Sequence, residues 1–507
     1  MMKLLLTTIK NDCLHSKLAL KNLYGVVSDA PIDITVREFD DAFSDIEVYE
    51  EIAMGGYNIV YFHTNMLNRR KIDTVCEMLK KAAPTTIIAT GGMEVTFETE
   101  KYMRENPAVD FVFRGEPETV MFEFLKTVIT YEFGFENIPG LAYRSDDEIK
   151  VSPIAPPVEL DDLPFPYDKF EVEEGEDVYY ESARGCPDRC AYSQYLSEAR
   201  IRTRSLNKVC TELRYFLAKE AGAVYFTDKW FNFNPDRAYR IWDYIINNDN
   251  DVTSFVFDVN GDFLDEETIR LLGTARKGLF RFNLDLESSN SEALAAVGRK
   301  ENIYQMLYNL VQLQHYETVD INLSIKLGLP YDDPEKFART FNKVYGMPGA
   351  TFDASVLSLR KGTLLRHEAE KFGYIYSSIP PYEVIANDFI QALDMIKIKK
   401  TLETAGRYLE DGMFSNSLPR LMTDIAISPF NLFGELSAFI YENSYIDKIV
   451  RRKENLYRVL YAYAVGKYDE LSETLKLQLL LEALHADLEE HFSEDEVKKF
   501  DKKGWDI

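Results

Sequence analysis

Glu181-Ser182-Ala183-Arg184-Gly185-Cys186-Pro187-Asp188-Arg189-Cys190-Ala191-Tyr192-Ser193 is the stretch on which the fold of this chain turns. It follows a strand candidate at 178–182 and sets Cys186 and Cys190 four positions apart in a loop. A tight loop of this kind can aim both thiolates at one iron–sulfur cluster, because such clusters are held by cysteine thiolates. The same spacing is equally compatible with two ordinary loop cysteines.

Downstream, strand candidates recur at 224–228, 253–258, 279–287, 319–327 and 352–359, separated by helical stretches. This βα rhythm predicts a partial (β/α)6 TIM-type barrel over 176–380, with its chemistry at the carboxyl ends of the strands. Upstream, 1–135 alternates short apolar strands (3–8, 34–39, 59–63, 86–90, 111–114) with amphipathic helices, such as 71–81 with Ile72, Val75, Met78 and Leu79 on one face. That pattern predicts an α/β domain, a doubly wound, Rossmann-like parallel sheet that binds ligands beyond its strand ends. Between the two, 136–175 is acidic and punctuated by Pro153, Pro156, Pro157, Pro164 and Pro166, and is predicted to be an extended linker. From 381 to 507 helix-period Leu, Ile and Tyr predict an α-helical domain, with most of Tyr441, Tyr445, Tyr457, Tyr461 and Tyr463 in its core and part of it over the barrel mouth.

Across the 507 residues, 58 basic against 84 acidic side chains give a net charge of -26, with 46% apolar residues. The balance predicts a globular protein and argues against a sequence-independent nucleic-acid binder, which needs a basic face for phosphates. No apolar run approaches the roughly 20 residues that span a bilayer. The opening Met1-Met2-Lys3-Leu4-Leu5-Leu6 is too short for a signal segment and reads as a strand. Five cysteines make no disulfide framework, so a cytoplasmic location with reduced thiols, and no membrane partner, is expected.

The loop resembles the cluster loop of the radical S-adenosylmethionine (radical SAM) superfamily, Cys-x3-Cys-x2-Cys, down to the aromatic Tyr192 before the third position. Segments 224–232, 255–262, 286–290, 328–330 and 359–365 resemble successive barrel landmarks of the branch in which a cobalamin-binding domain precedes the barrel and a helical domain follows. The resemblance implies three cofactors: cobalamin, S-adenosylmethionine and a [4Fe-4S] cluster. It implies metal ligation at Cys186, Cys190 and position 193. It places cobalamin against Gly91, Gly92 and the Arg114-Gly115-Glu116-Pro117-Glu118 loop, and S-adenosylmethionine against Glu287, Ser288, Ser289, Arg299 and Gly328. Asp228, Asp258, Asn260 and Lys326 are the catalytic candidates around the substrate, each also readable as a strand-end cap or structural residue. In this branch the lower cobalt face is commonly left without a protein histidine. Neither His15, in a loop that lacks the Asp-x-His-x-x-Gly spacing, nor His63 is expected to ligate.

Departures from the pattern bear on function. Ser193 replaces the third cysteine, and a hydroxyl is a harder, poorer iron ligand than a thiolate. Ser193 oxygen, a substitute such as water, Cys210 or a partner's group, or loss of the cluster all remain open. Asp285 and Lys326 stand on neighbouring strands where the family has glycine and an aliphatic residue. If both face the lumen they are expected to pair, because a lone lysine there is costly. The function implied is cobalamin-dependent radical SAM chemistry, methyl transfer or radical rearrangement at an unactivated carbon, served by an electron donor if the cluster is active. The alternatives are a cluster-less polar methyltransferase and a non-catalytic paralogue that supports a partner. The substrate is not named by the sequence.

Overall fold

The computed structural model describes residues 1–10, 16–130, 134–146, 148–194, 200–471 and 474–505; the loop carrying His15 lies outside them. The first sheet contains β1 (Lys3–Ile9), β2 (Asp33–Phe39), β3 (Ile59–His63), β4 (Ile87–Gly91), β5 (Phe111–Phe113), β6 (Leu141–Ser145) and β7 (Glu148–Val151), in the order β2-β1-β3-β4-β5-β6-β7. The first five strands are parallel. Leu4, Leu5 and Leu6 are all buried, as expected where helices cover both faces of a sheet. The order reverses between β1 and β3, which opens a crevice at the strand ends.

The stretch 136–175 corrects the expectation of a linker. It begins with the antiparallel β6–β7 pair, which extends this sheet, and runs extended only after Val151. Short strands broken by charges at Arg144, Asp146, Asp147 and Glu148 carry little periodic signal.

The second sheet is open, parallel and six-stranded: β8 (Val178–Tyr180), β9 (Ala223–Phe226), β10 (Ser254–Asp258), β11 (Phe280–Glu287), β12 (Val319–Leu327) and β13 (Ala350–Val356), paired in that order. Side chains alternate along most of β11 and β12. Phe282, Leu284, Leu286, Ile321, Leu323 and Ile325 are buried under the surrounding helices. Asn283, Asp285, Asn322, Ser324 and Lys326 point to the other, concave face. The lumen of this partial barrel is therefore polar.

The C-terminal region is helical, including Ala392–Leu409, Pro429–Glu442, Glu454–Leu471 and Thr474–His491. Its helices pack on the barrel's flank, and Tyr382 and Asn387, ahead of the first of them, reach Glu94 and the Gly328 carbonyl at the strand ends. Phe430 and Phe433 meet Phe341 of the outer helix Pro334–Tyr345, at ring separations of 5.4 and 6.1 Å. Tyr457 and Tyr463 are core residues, whereas Tyr441, Tyr445 and Tyr461 are only partly buried. Among the described residues no helix is long and apolar enough to cross a membrane.

Candidate functional site

The carboxyl ends of the two sheets face one cavity of about 1010 Å³. From the first sheet it is lined by residues 63–67 after β3, 92–94 after β4 and 115–118 after β5; from the barrel side by Arg184, Gly185, Cys186, Thr227 and Lys229. Of the residues expected to bind cofactors, Gly92, Glu116 and Cys186 line it. Gly91 is buried behind it, packed so closely on Tyr61 that a Cβ would sit 2.3 Å from the phenol oxygen. Gly92 has φ +113°, and a Cβ there would sit 2.3 Å from the Thr64 carbonyl oxygen. The need for glycine here is thus set by the neighbouring β3 loop, and the close approach in turn shapes the cavity floor.

Two charged clusters join the domains beside this cavity. Arg184 lies 2.8 Å from Glu181, 2.7 Å from Glu118 and 3.3 Å from Glu116, which also pairs with Arg202. Burial opposes charge on Glu116. Arg202, Arg184 and the Val158 N–H outweigh it and hold the carboxyl below its usual range. Glu116 is therefore committed to an interdomain clasp while it lines the cavity. On the other side Glu94, 2% exposed, accepts from Tyr382 and pairs with Arg69 at 3.2 Å and Lys361 at 3.0 Å.

The cysteine loop follows the clasp. Gly185, at φ +115°, lets Arg200 and Ile201 pass within 3.2 Å of where its Cβ would be. Cys186 is half-buried; Cys190 is buried, and burial pushes its thiol up to about 12 against the pull of Arg299 and Tyr192. Ser193 donates its backbone N–H to the Cys190 carbonyl at 3.0 Å, which keeps position 193 in the same turn. Among the described residues no three of His, Cys, Asp and Glu gather as a metal site. Cys210 therefore does not supply the missing ligand: it lies on the outer helix Leu206–Ala218 near Arg214 and Arg237. The donor set in the loop is two sulfurs and one hydroxyl.

Inside the barrel the expected pair is replaced by two others. Lys326 Nζ lies 3.4 Å from Glu287 Oε2 and 3.2 Å from Ser355 Oγ; Asp285 lies 3.9 Å from Lys229 and accepts from Ser324 at 2.8 Å. The cause is register. Asp285 stands opposite Ser324 and Glu287, after a bulge, opposite Ile325, so Glu287 is the carboxylate beside Lys326 and Asp285 lies one step back along its strand. Burial opposes charge on Asp285, but Lys229 first, then Arg299, Ser324 and Lys326, hold the carboxyl below its usual range.

The residues expected to contact S-adenosylmethionine are engaged with the protein itself. Glu287 accepts from the Tyr192 hydroxyl at 2.9 Å and pairs with Arg299 at 3.5 Å. Arg299 also donates to the Asp285 carbonyl at 2.7 Å and pairs with Glu301. Ser288 donates to Asp332 at 2.9 Å, Ser289 shares a hydrogen bond with Thr340 at 3.0 Å, and the Gly328 carbonyl accepts from Tyr374 and Asn387.

The catalytic candidates divide in the same way. Asp228, 1% exposed, accepts from the N–H and hydroxyl of Ser182, and Asn260 closes a buried turn with Asn232 at 2.8 Å, so both are strand-end caps. Asp258 and Lys326 face the lumen. Lys229, which pairs with Asp258 and lines the cavity, was not singled out from sequence, although it directly follows Asp228.

The sequence profile of the Radical SAM superfamily matches residues 180–344, and that of a protein family of unknown function, DUF4080, matches 370–506. An uncharacterized methyltransferase of Pyrococcus horikoshii is 30% identical over 179 residues, covering 33% of this chain and 39% of that relative. The anaerobic magnesium-protoporphyrin IX monomethyl ester cyclase of Synechocystis sp. is 25% identical over 297 residues, covering 55% of this chain and 58% of its own length. The chain thus spans between 39% and 58% of these curated relatives. Among solved structures, the cobalamin-dependent S-adenosylmethionine radical enzyme OxsB with aqua-cobalamin bound aligns with a TM-score of 0.63 at 13% identity, over 99% of this chain and 84% of its own. The radical S-adenosylmethionine methyltransferase TsrM of Kitasatospora setae, solved with cobalamin and a [4Fe-4S] cluster, aligns with a TM-score of 0.59 at 16% identity, over 75% and 76%. At such identities the likeness is one of fold. On these grounds the chain carries a radical SAM superfamily domain at 180–344, followed by a DUF4080 helical region.

Proposed function

We propose that the cavity holds cobalamin and that the chain is a cobalamin-dependent enzyme of radical SAM type, acting by methyl transfer or radical rearrangement at an unactivated carbon, with an atypical cluster loop. The observation that carries this reading is the single cavity shared by the strand ends of the first sheet and by Cys186 and Lys229 of the barrel. Its size suits a macrocycle better than a small metabolite, and His63, whose Nδ1 is buried without a hydrogen-bond partner among the described residues, is part of its lining. OxsB and TsrM, which share the fold, have been solved with cobalamin. Bound cobalamin would supply a methyl carrier and the cluster would supply radical initiation; the protein's part is to place substrate between them. Lys229 and Asp258, at the junction of cavity and lumen, orient a polar group of that substrate.

Cys186, Cys190 and Ser193 are the residues that would hold the cluster. The hydroxyl must lose its proton to serve, and a water or a partner's group is the other source of a third ligand. The S-adenosylmethionine contacts do not fit as they stand, because Lys326 and Arg299 already neutralise Glu287 and the two serines are committed elsewhere. This favours a second reading: a cluster-less, cobalamin-dependent polar methyl transfer, or a non-catalytic chain supporting a partner.

The discriminating experiment is anaerobic reconstitution with iron, sulfide and cobalamin, followed by metal and sulfide analysis and electron paramagnetic resonance. A reduced four-iron signal that changes on addition of S-adenosylmethionine supports the radical reading. Retained cobalt without that signal supports the second, and loss of cobalt on gel filtration refutes both enzymatic readings.

A further inference from the structure

Strand register lays the concave face of the barrel out in rows. Asp258, Asn283, Asn322 and Thr351 form one row, Asp285, Ser324 and Asp353 the next, and Lys326 and Ser355 the one after. A closed barrel of this type fills its interior with layers of branched apolar side chains. Here Thr351, Asp353 and Ser355 are exposed and the others only half-buried, so the lumen is an open polar space. It meets the cavity at Lys229. A hydrophilic ligand can hydrogen-bond throughout such a space, whereas an apolar one would leave its polar walls unpaired.

Charges in these rows are matched except for one. Lys229 meets Asp258 and Asp285, and Lys326 meets Glu287. Asp353 has no cationic partner among the described residues, yet it is held in place. Asn322 Nδ2 donates to Asp353 Oδ2 at 2.8 Å, and the Thr351 hydroxyl donates to Asn322 Oδ1 at 2.9 Å, which fixes the amide. Thr351 and Ser355 flank Asp353 on the same face of β13, each about 6.6 Å along the strand. The Thr351 oxygen retains a lone pair, and Ser355, which accepts from Lys326 at 3.2 Å, retains a proton to donate. This arrangement is complementary to an ammonium set between hydroxyls. We propose that the lumen binds the substrate, and that the substrate is a small amino alcohol, open-chain or sugar-like. Its ammonium sits on Asp353 and its neighbouring hydroxyls meet Thr351 and Ser355. The assignment rests on the enzymatic reading above and names its substrate class.

The test uses the full chain and saturation-transfer NMR titrations with matched probes. These are serinol and D-glucosamine, their neutral counterparts glycerol and D-glucose, and the carboxylates glycerate and D-glucuronate. A charge-assisted hydrogen bond contributes enough for the amines to bind about tenfold tighter than their neutral counterparts. Asp353→Asn abolishes that preference, Asp353→Lys turns it toward the carboxylates, and S-adenosylmethionine affinity is unchanged in Asp353→Asn. Equal binding of amine and neutral probes, no binding of either amine, or a preference that survives Asp353→Asn overturns the assignment. Weaker S-adenosylmethionine binding in Asp353→Asn overturns it too, because the carboxylate is then a cofactor contact. Cobalamin retention on gel filtration is read on the same samples. Its loss overturns the cavity reading and the substrate role with it, whereas loss of the amine preference with cobalamin retained overturns this proposal alone.

Discussion

Arg184 makes the most searching test of how the two domains are held. Its guanidinium meets Glu118, Glu181 and Glu116 at 2.7, 2.8 and 3.3 Å, and it is the ion-pair partner of Glu118 among the described residues. At about 3 Å and an effective dielectric of 20, each contact carries about 5 kcal/mol of gross attraction, most of it offset by desolvation. Arg184→Met leaves Glu118, 4% exposed, as a stranded buried carboxylate, a loss of about 3–5 kcal/mol. Glu118→Gln alone leaves Arg184 with two carboxylates and costs about 1 kcal/mol. In the double variant nothing is stranded at 118, so about 2 kcal/mol of the Arg184→Met cost returns. A chain of several domains does not unfold in one step, so the assay is native-state hydrogen exchange over 156–160 and 181–191. There the Val158 N–H is held by Glu116, and the Ser182 and Ala191 N–H groups, on either side of Arg184, by Asp228 and the Val297 carbonyl. The expected result is a fall in protection of about 150-fold or more in Arg184→Met, with about 30-fold recovered in the double variant. If single and double variants exchange alike, or if Arg184→Met stays within about threefold of the parent, the clasp is not what closes this seam.

Three other outcomes follow from the same geometry. Lys326→Met removes a cation from a lumen expected to take a sulfonium; at about 7 Å and an effective dielectric of 20 the relief is about 2 kcal/mol, so equilibrium dialysis should show S-adenosylmethionine binding about 30-fold tighter. Unchanged affinity would show that Lys326 does not guard the site. Ser193→Cys completes three sulfur donors and should raise iron and sulfide retained per chain after anaerobic reconstitution; equal content in parent and variant would show that position 193 does not limit cluster assembly. Burial raises Asp228 to about 7, so its folded form keeps a proton that the unfolded chain loses near pH 3.9. Its stabilising contribution is then complete below about pH 4 and lost as the pH rises through about 7. Asp228→Asn should flatten that part of the pH profile of hydrogen-exchange protection around Ser182, and a profile that falls in parallel with the parent would assign the slope to another group.

Both sheets were legible because parallel strands covered by helices write themselves as apolar runs at regular spacing, and each of the eleven parallel strands overlaps a predicted run. The β6–β7 pair was not legible. It is short, lies at the sheet's edge and is polar, as edge strands are. At the site, the cysteine loop announced itself through residue type and spacing, whereas the salt bridges that Glu116 makes across the domain seam while lining the cavity leave no mark in the sequence. The Lys326 partner was not legible because two carboxylates, Asp285 and Glu287, lie two apart on the same strand within reach of it, and spacing alone does not say which one the ammonium meets; Glu287 takes Lys326, and Asp285 meets Lys229.

The two charged clusters bear on how a ligand would enter. One, built on Arg184 and Arg202, ties the loop after β5 to the cysteine loop; the other, built on Glu94, ties the loop after β4 to Lys361 and Tyr382 beyond β13. They grip successive loops of the first sheet, and their partners are buried, so opening either seam exposes charges that have already been desolvated. The cavity walls are in consequence set before any ligand arrives, and binding need not draw on interaction energy to order two domains against each other. A preformed wall also fixes the distance from the first sheet's loops to Cys186. Chemistry that needs a cobalt-bound group and a barrel-bound substrate at a constant separation gains from that rigidity, while a scaffold that only steadied a partner would have no use for it. The clasps thus hold the loops of the first sheet against the cysteine loop, which is the constraint the proposed chemistry would use.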